Sequence, residues 1–539
     1  MSEAMSWPTS TRVPNVAHFL TRHARRQADA VAIVYDDRTW TWGQFDARVS
    51  ALARALRVDL GLEKGDRVLV QSANNNQMLE IMMAVFRAGL VWAPANFRQG
   101  TEEIAYQCQK SGAKAMFVEP AFPDHAEACR GMLEHVVAIG EMAGALSYEA
   151  LVAKHLGQDF PNEEVSRDDA CWLFFTSGST GRPKAVVLTH GQMTFTILNH
   201  MNDLMPGLSA RDASLVVAPL SHGAAAHQMA QIAGGAKSVI LPQGRFEPAF
   251  AWKMVEDWRI TNMFTVPTIV KIMVEDAAVK EHDHSSLKHV IYAGAPMYRA
   301  DQKRALQELG HVLVQYYGLG EVTGAITVLR PEDHHLEDGP EARPGTCGVE
   351  RTGIEVSIQD EKGNILAPGE TGEICVIGAA VTPGYFEDEG ANAKSFRNGW
   401  FCTGDLGHMD EQRFLFITGR SSDMYISGGS NVYPREIEEI LLTIDGVSEV
   451  AILGVPHPRW GEVGLCVCVP EVGKSVDEDS LRGKLVGKVA KYKLPQHFVF
   501  LEEMPKTAYG KITKKLVREE LTARGLIPDY EAETSGAGA

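Results

Sequence analysis

Residues 173–190 read LFFTSGSTGRPKAVVLTH, two apolar runs joined by a turn rich in Gly, Ser and Thr. The apolar run from Cys171 to Phe175 predicts a buried strand that stops where Thr176, Ser177, Gly178, Ser179, Thr180 and Gly181 begin. Glycines let backbone amides approach an anion closely, and the hydroxyls add donors that a phosphate can use. Lys184 supplies a point charge. The spacing G-x-x-G-x-x-K lacks the GK[ST] ending of a Walker loop, and it leads into AVVLTH, a second strand, where a Walker loop would open a helix. A phosphate-binding turn between two strands is the expectation.

Four further strings follow in order: QYYGLGE at 315–321, GWFCTGD at 399–405, TGRSSDMYISGGSNVYPREIEE at 418–439 and PKTAYGKITK at 505–514. With TSGSTGRPK they resemble the signatures of the adenylate-forming superfamily, which includes acyl-CoA synthetases, luciferases and free-standing adenylation domains. The resemblance runs from residue 10 to residue 520, approximately. It implies that Tyr317 stacks on adenine, that Asp405 and Arg420 hold the ribose, and that Glu321 with Thr176 helps to hold Mg2+ beside ATP. Gly294, Ala295 and Pro296 join the nucleotide site, and Lys511 reaches it during adenylation. By the same resemblance His222, Ala224 and Gly318 line the acyl pocket. Ser422 and Asp423 lie at a hinge, and Gly428 and Gly429 border a tunnel for the pantetheine of CoA. One position departs from the pattern: Gly320 stands where the family carries Thr. Thr323, a water or the Gly320 amide is expected to replace the lost contact.

The residue types suit the chemistry independently. A carboxylate is a poor electrophile, so activating it means attacking the α-phosphate of ATP and stabilising negative charge as pyrophosphate leaves. Lys511, Lys184, the loop amides and a cation near Glu321 form the kind of preorganised set this requires, each donor worth ~10²–10³ in rate.

Composition narrows the classes. The 539 residues are 45% apolar, ample for sizeable cores, and 52 Lys and Arg against 69 acids leave a net charge of −17. Such a chain with no long basic run is a poor partner for nucleic acid or an anionic membrane. No apolar stretch reaches the length of a membrane span; IMMAVFRAGLVWAPA is interrupted by Arg87. The first residues show no basic segment followed by an apolar run, so a cytoplasmic enzyme is expected, with an oligomer left open. The eight cysteines are scattered in apolar strings, and Cys466 and Cys468 share one strand face, which suits a core under reducing conditions. His282, His284, His334 and His335 sit in polar stretches and read as solvated.

Strand-like and helix-like patterns alternate from 165 to 330, and the N-terminal part reads similarly, which predicts an α/β fold with helix-covered, mostly parallel sheets. Short strands broken by Gly and Pro predict a β-rich subdomain over 340–415. The expected organisation is an N-terminal domain over 1–420, a mobile α+β C-terminal domain over 421–525, in which DSLRGKLVGKVAKY reads as one helix, and a disordered tail over 526–539. Fewer than 30 residues follow Lys511, too few for a carrier domain. The resemblance implies an AMP-forming acyl-CoA synthetase that takes ATP, Mg2+ and CoA. Small residues at 224–226 leave room for a short to medium monocarboxylic acid, aliphatic or arylaliphatic, and no unpaired Arg in the pocket segments matches a second carboxylate. Two alternatives stay open: delivery of the acyl group to a carrier protein or to oxidation, and a nucleotide-binding relative that has lost turnover.

Overall fold

The computed structural model describes residues 11–176, 182–242, 246–295, 297–506 and 512–528. Two large sheets carry the first 350 residues. The first orders its strands Lys184–Thr189, Ala170–Thr176, Val91–Ala95, Arg67–Gln71, Ala115–Val118, His135–Ala138 and Leu146–Ser147, all parallel except the first pair. The second has an interior of six parallel strands, Leu313–Tyr317, His289–Tyr292, Asn262–Thr265, Ala213–Val216, Lys237–Ile240 and Val31–Tyr35, with antiparallel strands at both edges. Strands buried on both faces read as continuous apolar runs, which is how SLVV, NMF and HVIY appear in the sequence.

Helices fill the space between the sheets. Asn76–Arg87 is buried nearly all round, and Gly223–Gly234 has ten buried positions because its Gly and Ala residues let neighbouring elements approach. The main core runs through Phe45, Met82, Phe86, Trp92, Trp172, Met229 and Phe264 and joins the two sheets. Trp92 and Trp172 have ring centroids 4.7 Å apart.

A third, antiparallel sheet of Ile354–Gln359, Gly372–Gly378, Trp400–Met409, Phe396–Arg397 and Leu415–Arg420 occupies the stretch with frequent Gly and Pro. The C-terminal sheet pairs Ser430–Val432, Tyr425–Ser427, Gly461–Pro470 and Val447–His457, with His497–Phe500 running parallel to Gly461–Pro470. Pro434 opens the helix Pro434–Leu441, as a first-position Pro can without losing a hydrogen bond. Cys466 and Cys468 pack in the core of this sheet.

Two sequence expectations need correction. The helix expected over DSLRGKLVGKVAKY stops at Leu485, because Gly487 takes φ +79°, outside the helical region. His334 is not solvated: it is 1% exposed, with its ring nitrogens 3.0 Å from the Tyr292 hydroxyl and 2.7 Å from the Arg330 carbonyl. Burial pulls its pKa down to about 4, so it is neutral at pH 7.

Candidate active site

Ala170–Thr176 and Lys184–Thr189 are paired antiparallel, with Thr176 directly opposite Lys184, so the intervening loop closes a hairpin whose two ends point chemistry the same way. Ser177, Gly178, Ser179, Thr180 and Gly181 in that loop lie outside the described residues, as do Pro296 and Lys511. Glu321 sits in a short 3-10 turn after the strand Leu313–Tyr317, at the carboxyl end where ligands meet open parallel sheets. The turn brings it to Thr176, whose Oγ1 donates to Glu321 Oε1 at 3.4 Å.

Tyr385, which the sequence reading passed over, completes this corner. Its hydroxyl donates to Glu321 Oε1 at 2.9 Å, and its ring lies 4.8 Å from the Lys184 ammonium. Burial, with the Glu321 carboxylate beside it, pushes the Tyr385 phenol above its ordinary range and keeps it a donor. PGYF at 383–386 carried only a turn signal, so a sequence pattern offered little to single the Tyr out. The segment is held by the Thr382 amide, which donates to the Glu321 carbonyl at 2.7 Å. Thr176 and Glu321 offer hydroxyl and carboxylate oxygens close together, the hard donors that Mg2+ takes alongside substrate phosphates.

In the same cleft, Asp405 is 5% exposed and engaged at both oxygens: Tyr317 donates to Oδ2 at 2.7 Å, and Arg420 Nε lies 3.1 Å from Oδ1. Asp405 and Arg420 are also opposite each other on adjacent strands. Gly294, at φ +83°, and Ala295 follow the strand His289–Tyr292 and face the same cleft, which encloses about 2930 Å³. That is several times a single-ligand pocket, so it can take a nucleotide and a second substrate together.

The apolar recess of the cleft begins at His222 and Gly223, where the helix Gly223–Gly234 starts, and is walled by Phe264 and Tyr316, stacked 5.9 Å apart. A Cβ on Gly223 would lie 3.1 Å from Phe264 Cζ, so the missing side chain is part of the recess. Gly318 also borders it, and a Cβ there would lie 2.2 Å from the backbone of Gly324, which restricts the position to Gly. Ala224 is a correction: it is 2% exposed within the main core, and the helix offers Gly223 and Ala226 to the cleft instead. Successive helical residues face about 100° apart, so three alanines in a row cannot share one wall.

Gly320 has no room for a side chain, because a Cβ would lie 2.6 Å from Phe174 Cδ1. Phe174 itself packs edge-on against Trp172 and His222, at 5.4 and 5.1 Å. Thr323 does not stand in for the missing Thr. Its Oγ1 is committed to Thr196 Oγ1 at 2.5 Å and to the Val322 carbonyl at 2.7 Å, and it is 8% exposed.

Toward the C-terminus, Ser422 and Asp423 form a turn after Leu415–Arg420, with the Asp423 and Met424 amides both donating to the Arg420 carbonyl. Gly428 and Gly429, at φ +58° and +82°, make the turn between Tyr425–Ser427 and Ser430–Val432. Neither borders the cleft in this arrangement; a Cβ on Gly428 would approach Trp460 at 3.2 Å. Ile512, Thr513 and Lys514, just after Lys511, do border it, and Lys514 pairs with Glu438. Among the described residues no helix is long and apolar enough to cross a membrane.

Comparison with known proteins assigns the sequence to a family. Residues 20–386 match the AMP-binding enzyme model and residues 436–511 the AMP-binding enzyme C-terminal domain model. The chain is 35% identical over 500 residues to a feruloyl-CoA synthase from an Amycolatopsis species, covering 92% of this chain and 97% of that protein. It is 32% identical over 513 residues to an indoleacetate–CoA ligase from Aromatoleum aromaticum, covering 94% and 98%. The structure superposes with a TM-score of 0.82 and 27% identity on o-succinylbenzoate CoA synthetase from Bacillus subtilis in complex with an acyl-adenylate intermediate, covering 95% and 98%.

Proposed function

The chain belongs to the AMP-binding enzyme family, and we propose that it activates a monocarboxylic acid, arylaliphatic or short to medium aliphatic, as the acyl-adenylate and passes the acyl group to CoA. It is a carboxylic acid–CoA ligase that works with ATP, Mg2+ and CoA. The observation that carries the reading is the convergence of Thr176, Lys184 and Glu321 on the cleft that Asp405, Arg420 and the aromatic recess also line.

In this reading Tyr317, Asp405 and Arg420 fix the nucleoside, exchanging part of their mutual hydrogen bonding for the ribose hydroxyls. Lys184 meets the phosphates from its place against the Tyr385 ring. Thr176 and Glu321 would hold Mg2+, which screens phosphate charge when bound. Tyr385 keeps the Glu321 carboxylate turned toward Thr176. Lys511 arrives from the C-terminal domain, which we propose to be residues 421–525, turning about Ser422 and Asp423. After adenylation the turn brings Gly428 and Gly429 to the CoA path.

An aromatic acid suits the recess because Phe264 and Tyr316 offer ring faces and Gly223 leaves space before them. The named substrates of the two relatives, ferulate and indoleacetate, both carry a ring and one carboxylate. Arg351, behind Tyr316, is spoken for: it is fully buried with its Nε 3.9 Å from Asp203 Oδ2, so it is no anchor for a second carboxylate. The cytoplasm, where ATP and CoA are at hand and thiols stay reduced, is the compartment we propose.

The test is a panel of carboxylic acids incubated with enzyme, ATP, Mg2+ and CoA and read by mass spectrometry. AMP and a thioester from an aryl-bearing monocarboxylic acid are expected. Adenylate without thioester would move the reading to carrier delivery, and pyrophosphate release from no acid would refute turnover.

A further inference from the structure

Three residues from the site's Asp405, the antiparallel strands Gly372–Gly378 and Trp400–Met409 set Cys375 directly opposite Cys402. The two sulfurs are 3.8 Å apart, with the Cys375 thiol donating to Cys402. Opposed residues on antiparallel strands have Cα atoms ~4.5–5.5 Å apart, inside the span a disulfide bridges, so the bond can close without the strands separating. Of the eight cysteines Cys402 is the one that is not buried, and it borders the cleft.

The surroundings favour a thiolate. Arg397 Nη2 lies 3.4 Å from Cys375 Sγ and 3.2 Å from Glu373 Oε2, placing a cation beside the pair. The hydrogen bond from Cys375 holds the Cys402 thiol below its ordinary range against the opposing effects of burial and the Glu373 carboxylate. Glu373, Cys375 and Cys402 also present three ligand atoms within 4.8 Å of one another, a metal-like cluster. The Arg397 guanidinium already neutralises this cluster, so a metal would have to displace it.

The pair adjoins a structural lever on the nucleotide site. Between Glu373 opposite Leu406 and Cys375 opposite Cys402, the ladder slips: one residue intervenes on the first strand and three, Thr403, Gly404 and Asp405, on the second. This bulge presents Asp405, and Glu373 holds it by accepting from the Gly404 amide at 3.2 Å. Drawing the two sulfurs from 3.8 Å to bonding distance pulls on the edge of the bulge.

We propose that Cys402 and Cys375 form a peroxide-sensitive dithiol whose closure to a disulfide weakens ATP binding at Asp405. The Cys402 thiolate attacks one oxygen of a hydroperoxide, the O–O bond breaks, and the other oxygen leaves as water or alcohol after protonation, giving a sulfenic acid. The Cys375 sulfur then attacks that sulfur; its proton and the hydroxyl leave as water. The peroxide is reduced by two electrons and the two thiols are oxidised by two. A thiol reductant reverses the change.

The test treats the full-length enzyme with hydrogen peroxide, maps cross-linked peptides by mass spectrometry, and measures the KM for ATP before oxidation, after it, and after dithiothreitol. A Cys375–Cys402 cross-link with an ATP KM raised about fivefold or more, reversed by the reductant, is expected. In Cys375→Ser, peroxide should stop at a Cys402 sulfenic acid captured by a 1,3-dione reagent. Cys108 and Cys129, both buried, are internal controls that should stay reduced. Absence of the cross-link, or a fully cross-linked enzyme with unchanged KM for ATP, overturns the proposal. Micromolar Zn2+ binding that protects both thiols from peroxide also overturns it, in favour of a metal site.

Discussion

Phe174 fills the space that a side chain at position 320 would need: a Cβ on Gly320 would sit 2.6 Å from Phe174 Cδ1 and 2.9 Å from Thr176 Cγ2. The Phe174 ring is hemmed in by Trp172 and His222 and cannot swing aside cheaply. Gly320→Thr should therefore lower activity, although it restores the family's residue, and overpacking of ~1–3 kcal/mol should appear as a lower melting temperature. Combining it with Phe174→Ala should recover part of the loss. Pyrophosphate release and melting temperature of both singles and the double variant check this; additive losses would show the two positions to be independent.

Tyr385→Phe removes one hydrogen bond to the Glu321 carboxylate while keeping the ring beside Lys184. A bond to a charged group is worth ~1.5–3 kcal/mol, so kcat/KM for ATP should fall about tenfold or more. Tyr385→Ala should cost more, since the ring under the ammonium goes too. Equal rates for Tyr385→Phe and the parent would remove Tyr385 from the site.

Ser422→Pro should spare adenylation and slow transfer to CoA. The described turn uses the amides of Asp423 and Met424, and a Pro at 422 leaves both in place while fixing φ. Separate assays of adenylate formation and of thioester formation from supplied adenylate decide it; an unchanged thioester rate would move the hinge elsewhere.

Buried neutral histidines make the fold acid-sensitive. Burial pulls His190, His227 and His334 down to about 4 from an unfolded value of 6.5. Between those values the unfolded chain binds more protons than the folded one, so the stability they contribute is complete above pH 6.5 and is lost as pH falls toward 4. The melting temperature should drop steadily from pH 7 to pH 5. A flat profile over that range would contradict the burial of these rings.

The parallel sheets and the hairpin at 176–184 were legible because apolar runs and Gly-rich turns act locally. Residues whose role depends on distant packing were not. Tyr385 reaches Glu321 across 64 positions, and no local pattern marks that contact. His334 looked solvated in a polar string because its partner, Tyr292, lies 42 residues away. Ala224 was misplaced by one turn-fraction of helix, a question of which way a residue faces and not of what it is. Phe174 could be read as a strand residue, but its place over Gly320 needed a strand and a distant 3-10 turn brought together.

Acid-dependent exchange of labelled pyrophosphate into ATP, with CoA left out, decides whether Thr176, Lys184 and Glu321 assemble an adenylating centre. Exchange is expected with an arylaliphatic acid, with a loss of about 10²-fold or more in Glu321→Gln and in Lys511→Ala, the range for removing one preorganised group. Thioester made with release of ADP and phosphate, or exchange that both variants retain, would contradict it.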